Sequence, residues 1–132
     1  AASDVYKRQH VNNSMYLVYS EDCAARAVAA HGWPPGRMQS QGFAVSAERH
    51  LIEYLEPAVF GDELEVSTWL SDVTPTSALR HYCIVRVDDG ALITRARSRW
   101  GILDLKSEER IPIPQAFLDD LGPSISDPLP PR

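Results

Sequence analysis

The sequence has few basic residues and no long apolar run, and each shortage excludes a class of protein. Its 13 Lys and Arg stand against 18 Asp and Glu, which gives a formal charge of −5 over 132 residues. A protein that binds nucleic acid usually needs a basic face that contacts the phosphates, so we expect no nucleic-acid partner. Charged residues interrupt every apolar segment, and no charged start precedes an apolar stretch. We therefore expect neither a membrane span nor a secretory signal.

Cysteine is scarce, and the usual motifs of metal and phosphate sites are absent from the sequence. Cys23 and Cys83 are its two cysteines, and their wide separation indicates a reduced, cytoplasmic protein. The histidines are scattered without a close carboxylate pair, so we expect no metal site. Neither a glycine-rich phosphate loop nor a serine nucleophile elbow is present. We expect no tightly bound cofactor.

What the chain does have is enough apolar sequence for one domain with a long helix. Its length of 132 residues and hydrophobic fraction of 44% suit a single core. Residues 13–30 are predicted to form one helix, because Asn12 or Asn13 provides an N-cap and no glycine or proline interrupts the segment. The apolar residues of this helix do not keep to one narrow stripe. This pattern indicates a helix that the rest of the fold encloses.

Four segments after the helix are rich in β-branched and aromatic residues and are predicted to form strands: residues 43–55, 63–73, 78–87 and 91–103. Short connectors, including the hairpin signal at residues 88–90, favour antiparallel neighbours along the chain. We expect a short helix at residues 115–121 and a disordered, proline-rich tail at residues 122–132. The fold class is therefore α+β. Its exposed sheet edges predict pairing with a second copy.

The most informative stretch is a polar turn ahead of the helix, made of His10, Val11, Asn12, Asn13 and Ser14. Free backbone N–H groups at a helix N-terminus stabilise negative charge that develops on a carbonyl oxygen, and the helix dipole helps them. The side chains of His10 and Asn13 add donors. The residues alone equally allow a turn that merely caps the helix.

The motif His-Val-Asn-Asn-x-x-Tyr at residues 10–16, followed by Glu21, resembles the start of the central helix in hotdog-fold acyl thioesterases. The similar families are the 4-hydroxybenzoyl-CoA thioesterase-like and acyl-ACP thioesterase-like ones, and the resemblance covers residues 10–121. It implies a hotdog fold, in which an antiparallel sheet wraps one long helix. It also implies a homodimer or homotetramer that hydrolyses acyl-CoA or acyl-ACP thioesters at a site between two subunits.

The resemblance assigns roles to the residues at the helix start. The helix N-terminus, with His10 and Asn13, would polarise the thioester carbonyl, while a carboxylate would act as nucleophile or as base for water. In this family that carboxylate usually lies four residues before the histidine of the motif, where this chain has Tyr6. The implied substrate-binding residues are Asn12, Ser14 and Tyr16.

The tyrosine at position 6 has three explanations. Residues 4–9 are what a transposase adapter from sequencing-library preparation would encode, so residues 1–9 would be a non-native or truncated segment in place of the first strand and its Asp. In the second explanation Glu21 is the catalytic acid, against the alternative that it bonds a backbone group or an Arg. In the third, Asp4 reaches the site from its shifted position.

Arg95, Arg97 and Arg99 alternate on one face of the last predicted strand. Such a row could bind the phosphates of coenzyme A, with Arg97 and Arg99 as the candidates, or could be a solvated face paired with carboxylates on the next strand.

Two functions compete with hydrolysis. One is a hotdog domain that binds acyl thioesters without cleaving them or that serves assembly. The other is a hotdog dehydratase, for which His10 and Glu21 would supply the pair of His and acid.

Overall fold

A computed structural model of the chain describes residues 4–8, 16–59 and 61–126. One long helix, α1 (Tyr16–Ala30), packs against an antiparallel sheet, and two short helices, α2 (Pro35–Ser40) and α3 (Gln115–Asp120), lie beside it. The predicted α+β class is confirmed. The strands of the sheet are β1 (Asp4–Arg8), β2 (Phe43–Tyr54), β3 (Leu64–Ser71), β4 (Ala78–Arg86), β5 (Leu92–Asp104) and β6 (Arg110–Ile111).

The order of the strands is β1-β3-β4-β5-β2, with β6 on β5. The prediction that the four long strands are successive neighbours is wrong for β2, which lies at the edge of the sheet beside β5 instead of beside β3. Its connector, residues 55–63, would span about 30 Å if fully extended, whereas the three strand spacings that it must cross amount to about 14 Å. The connector is therefore long enough to carry the chain across the sheet.

One face of the sheet packs against α1 and forms two buried clusters. The cluster at the start of the helix contains Tyr16, Tyr19, Cys23, Leu64, Val66, Ile84 and Ile93. The larger cluster, toward the end of the helix, includes Ala24, Val28, Trp33, Phe43, Leu70, Tyr82, Ala96, Trp100, Ile102, Phe117 and Leu121. The expectation that the fold encloses α1 is wrong for the single chain, because its buried residues share one face while Val18, Ala25 and Ala30 are exposed. Within the described residues, none of the helices is long and apolar enough to cross a membrane.

Two predictions concern the N-terminal side of the fold. The helix is observed from Tyr16, while the preceding part of the predicted helix lies outside the described residues. The expectation that the first strand is missing is wrong for the backbone, because β1 pairs with β3 from Asp4 opposite Thr68 to Arg8 opposite Leu64. Residues of the segment expected to be non-native therefore occupy the place of a first strand.

The predicted disordered tail begins too early. Residues 122–124 form a 3-10 turn, which tolerates a proline in its first positions. Beyond the turn, Ile125 forms a parallel bridge with Leu70, and the N–H of Ser126 donates to the carbonyl of Leu70 at 2.7 Å. The pairing of β1 ends opposite Thr68, so this segment satisfies the next backbone groups of β3. Residues 127–132 lie outside the described part.

Candidate active site

No residue of the polar turn belongs to the described part of the chain. His10, Asn12, Asn13 and Ser14 lie outside the described residues, so their assigned roles stay predictions. Asp4 is described through its backbone alone, as a member of β1.

Tyr16 is a core residue beneath the start of α1. Its ring lies 6.4 Å from that of Tyr19 and 5.9 Å from that of Tyr54, measured between centroids. Burial raises the pKa of its hydroxyl, and the neighbouring Tyr19 and Asp62 act in the same direction. Tyr16 therefore packs the first cluster and is not among the residues of the pocket described next.

A pocket of about 190 Å³ lies between α1 and the edge strand β2. Its walls are mainly apolar, and two polar side chains, Glu21 and His50, also line it. The remaining lining residues are Ala24, Ala25, Val28, Trp33, Pro35, Met38, Val45, Ala47, Tyr82 and Trp100. The pocket thus offers an apolar space with a carboxylate and an imidazole at its surface.

Glu21 is exposed on α1 and makes no hydrogen bond or ion pair within the part of the chain that the structure describes. The alternative, in which Glu21 bonds a backbone group or an Arg, therefore finds no such partner among the described residues. The next residue, Asp22, is different, because its carboxylate lies 3.0 Å from Arg26 one turn along the helix. Of the two neighbouring acids, Glu21 is therefore the one whose carboxylate is available to the pocket.

A short hydrogen-bonded line of side chains connects β2, β5 and β4 at this pocket. Nδ1 of His50 lies 2.6 Å from the hydroxyl oxygen of Ser98, and Ser98 also hydrogen-bonds the hydroxyl of Tyr82. Burial raises the pKa of Tyr82 to about 12, so its hydroxyl stays protonated at neutral pH. Sequence reasoning treated His50 as an isolated histidine and missed Ser98 and Tyr82. The signal that joins them is the pairing of β2 with β5, where His50 lies opposite Ser98.

The row of arginines on β5 divides into two kinds. Arg95 donates two hydrogen bonds to the carboxylate of Glu53, at 3.1 and 3.2 Å, as the solvated-face interpretation predicts. Arg97 and Arg99 are exposed and make no ion pair with any described residue. Together with Arg49 they line a second recess, of about 370 Å³. The structure thus separates Arg97 and Arg99 from the paired Arg95.

The profile of the thioesterase-like superfamily matches residues 4–121 of the chain. A 1,4-dihydroxy-2-naphthoyl-CoA thioesterase from Synechocystis superimposes with a TM-score of 0.81 at 19% identity, covering 91% of this chain and 96% of that one. The probable thioesterase YbaW from Escherichia coli gives a TM-score of 0.76 at 20% identity, covering 94% and 98%. A hypothetical protein from Staphylococcus aureus, solved in complex with CoA, gives 0.85 at 13% identity, covering 98% and 89%.

No curated protein matches the sequence. The architecture shared with these solved structures is the hotdog fold, which confirms the fold that the resemblance implied.

Proposed function

Because the chain belongs to the thioesterase-like superfamily, we propose that it hydrolyses an acyl thioester to the free acid and the thiol, with the acyl group in the pocket between α1 and β2. The observation that carries this proposal is Glu21. Its carboxylate makes no bond to another described residue and lines an apolar pocket of acyl-group size. A carboxylate in that position suits a base that activates water.

The size of the pocket favours a compact acyl group. An apolar cavity of about 150 Å³ is known to hold benzene, so a pocket of about 190 Å³ suits an aromatic ring or a short chain. We propose aromatic or short-chain acyl thioesters as the substrates. The likeness to a structure named for an aromatic CoA thioester agrees with this class.

In the proposed reaction, water adds to the thioester carbon while Glu21 accepts its proton. The carbon–sulfur bond of the tetrahedral intermediate then breaks, and the proton passes to the leaving thiolate. Nδ1 of His50 is held by Ser98, which leaves Nε2 to polarise the carbonyl oxygen. In this proposal the hydrolysis takes place inside the pocket. The resemblance implies a different location, at the start of the helix, where His10 and Asn13 would act with a carboxylate at position 6.

We propose that a second copy completes the site, as a homodimer or as a pair of dimers. β2 is an edge strand, and an unpaired strand edge favours association with another chain. Leu51, Tyr54 and Leu55 on or just after this strand are large apolar residues with 43–57% of their surface exposed. A partner on this edge would cover them together with the open side of the pocket.

We place the protein in the cytoplasm. Both cysteines, Cys23 and Cys83, are buried thiols in the structure, and buried thiols suit a reducing compartment.

The test is the release of free thiol from a panel of acyl-CoAs from acetyl to palmitoyl, with benzoyl-CoA included. We expect turnover of the aromatic and short-chain members. A competing function is binding of acyl thioesters without cleavage, which the tyrosine at position 6 favours, and a folded protein silent on the whole panel would support it. A dehydratase needs a histidine and an acid, and His50 and Glu21 line the same pocket. Hydration of an enoyl thioester without thiol release would therefore identify a dehydratase.

A further inference from the structure

We propose that Ser98 and Tyr82 are positioning residues that hold the neutral imidazole of His50 in one tautomer, with the ring proton on Nε2. The inference rests on the proposed function and deepens it, because it states how His50 acts in the pocket. A neutral imidazole carries one ring proton, so one nitrogen donates a hydrogen bond and the other accepts one. The hydrogen bond at one nitrogen therefore decides the state of the other.

The three side chains form a line from the core of the sheet to its edge. Tyr82 and Ser98 are buried, whereas His50 is exposed on the edge strand β2. Nδ1 of His50 lies 2.6 Å from the hydroxyl oxygen of Ser98, and the same hydroxyl is hydrogen-bonded to that of Tyr82. Because Ser98 lies directly opposite His50 in the pairing of β2 with β5, the backbone fixes this contact.

The direction of the hydrogen bonds follows from the end of the line in the core. Burial raises the pKa of the Tyr82 hydroxyl to about 12, so this group keeps its proton at neutral pH. A buried hydroxyl proton without an acceptor costs free energy. Among the described residues, Ser98 is the one hydrogen-bond partner of the Tyr82 hydroxyl. Tyr82 therefore donates to the hydroxyl oxygen of Ser98.

Ser98 then has one hydroxyl proton for its one remaining partner. A serine hydroxyl donates one hydrogen bond and accepts up to two. Since its oxygen accepts from Tyr82, its proton goes to Nδ1 of His50. If Nδ1 carried the ring proton instead, the buried hydroxyl proton of Ser98 would have no acceptor among the described residues. The ring proton of the neutral imidazole is therefore on Nε2.

A buried positive charge on the far side of Ser98 favours the same direction. Arg80 lies directly opposite Ser98 in the pairing of β4 with β5, and it is fully buried. Its guanidinium carbon lies 4.4 Å from the ring centroid of Trp100, so the charge is held within the core. The strand order places β4 and β2 on opposite sides of β5. A cation on the β4 side attracts the lone pairs of Ser98, so the hydroxyl proton points toward His50 on β2.

The tautomer decides what His50 can do in the pocket. An Nε2–H group donates a hydrogen bond to the thioester carbonyl oxygen and to the negative charge that develops on it. In this state Nε2 has no lone pair for a proton, so the proton of water goes to Glu21, which lines the same pocket. A dehydratase in which Nε2 of His50 removes the proton would need the other tautomer. The hydrogen-bonded line thus favours hydrolysis over dehydration.

Nitrogen-15 NMR of the histidine side chains tests the tautomer without any substrate. The two ring nitrogens resonate differently with and without a proton, and His50→Gln identifies the signals of His50. At alkaline pH, where imidazoles are neutral, we expect a single tautomer with the proton on Nε2. Ser98→Ala and Tyr82→Phe should each add a second tautomer, because each removes the constraint on Nδ1.

The matched control is Thr94→Val, which removes a hydroxyl of another kind. Thr94 is buried on the same strand, β5, and alternates with the exposed arginines as Ser98 does. Its hydroxyl makes no hydrogen bond with a described residue. This variant should therefore keep the single tautomer of His50.

Thiol release from the best acyl-CoA tests the positioning role in catalysis. We expect Tyr82→Phe to lower kcat about fivefold and Ser98→Ala about tenfold, because the net contribution of a hydrogen bond corresponds to factors of this size. KM should change little in both. Ser98→Thr keeps the hydroxyl and should restore most of kcat, while Thr94→Val should leave kcat unchanged.

The two measurements separate this inference from the proposed function. A single Nε2–H tautomer that Ser98→Ala and Tyr82→Phe disturb and Thr94→Val keeps supports the inference even if no acyl thioester is hydrolysed, a result that contradicts the proposed function alone. A ring proton on Nδ1 in the chain as written, or the same tautomer in every variant, overturns the inference. Where thiol is released, equal kcat values in Ser98→Ala, Tyr82→Phe and Thr94→Val overturn the positioning role.

Discussion

Nδ1 of His50 lies 2.6 Å from the hydroxyl oxygen of Ser98, across the pairing of the edge strand β2 with β5. This bond fixes one ring nitrogen of an exposed histidine at the wall of the pocket between α1 and β2. Ser98 is itself buried and hydrogen-bonded to Tyr82. The imidazole is therefore oriented by the core of the sheet, which is the arrangement that a polarising group requires.

The replacement Glu21→Gln tests the proposed base. It should lower kcat for the best acyl-CoA about 100-fold or more, because an amide cannot accept the proton of water. The matched control is Asp22→Asn on the same helix, where the carboxylate pairs with Arg26. Thiol release, measured beside circular dichroism and size-exclusion chromatography, checks the result. Equal losses in the two variants, or full activity in Glu21→Gln, would remove Glu21 from the mechanism.

A larger side chain at Ala25 tests the location of the acyl group. Ala25 lines the pocket, so Ala25→Phe should reduce kcat/KM for benzoyl-CoA about tenfold or more while acetyl-CoA is affected less, since only the larger acyl group needs the lost volume. Ala30→Phe is the control, because Ala30 is exposed on α1 and is not part of the pocket lining. Equal effects on both substrates would place the acyl group elsewhere.

The long elements of the fold were predictable because their signals are local, whereas β1, α2 and β6 were not predicted. The uninterrupted segment of α1 and the β-branched runs of the strands depend on neighbours along the chain, and the observed bounds agree with the predicted ones to within a few residues. The position of β2 was not predictable in this way, because a connector of that length allows either edge of the sheet.

The candidate site depends on the position of β2 and was therefore only partly accessible from the sequence. Glu21 could be identified on the helix. That it shares a pocket with His50 follows from the register of β2 on β5. The same register decides that Arg95 meets Glu53 while Arg97 meets Leu51. A row of alternating arginines looks uniform in the sequence, and only the facing strand makes its members different.

The buried His81 predicts a loss of stability in acid. Burial holds the pKa of His81 below its ordinary value of 6.5, so the unfolded chain binds the proton more readily. This contribution to stability is complete above pH 6.5 and falls as the pH drops below that value toward the lower pKa of the folded state. Urea unfolding between pH 5 and 8 should show a decline on the acid side that is smaller in His81→Gln. The slope with pH is the readout, because the variant also loses ring stacking on Trp69. An unchanged slope would contradict the assignment to His81.

The last prediction concerns position 6, where the resemblance implies a carboxylate and the chain has Tyr6. The backbone of β1 already pairs Tyr6 with Val66 on β3, so a side chain can be exchanged there without rebuilding the strand. If residues 4–9 replace a native segment and the chemistry lies at the helix start, Tyr6→Asp should raise kcat about tenfold or more, the size of effect expected for an added general base. Chemistry at Glu21 in the pocket predicts no gain. The double variant with Glu21→Gln decides which carboxylate acts. If the gain persists in it, position 6 supplies the better base, and Glu21 supports only the slow reaction of the chain as written.

If Tyr6→Asp gives no gain, the placement of the chemistry at the helix start is wrong for this chain. If the same codons for residues 4–9 are found in the intact genomic locus, the adapter origin of the segment is also wrong.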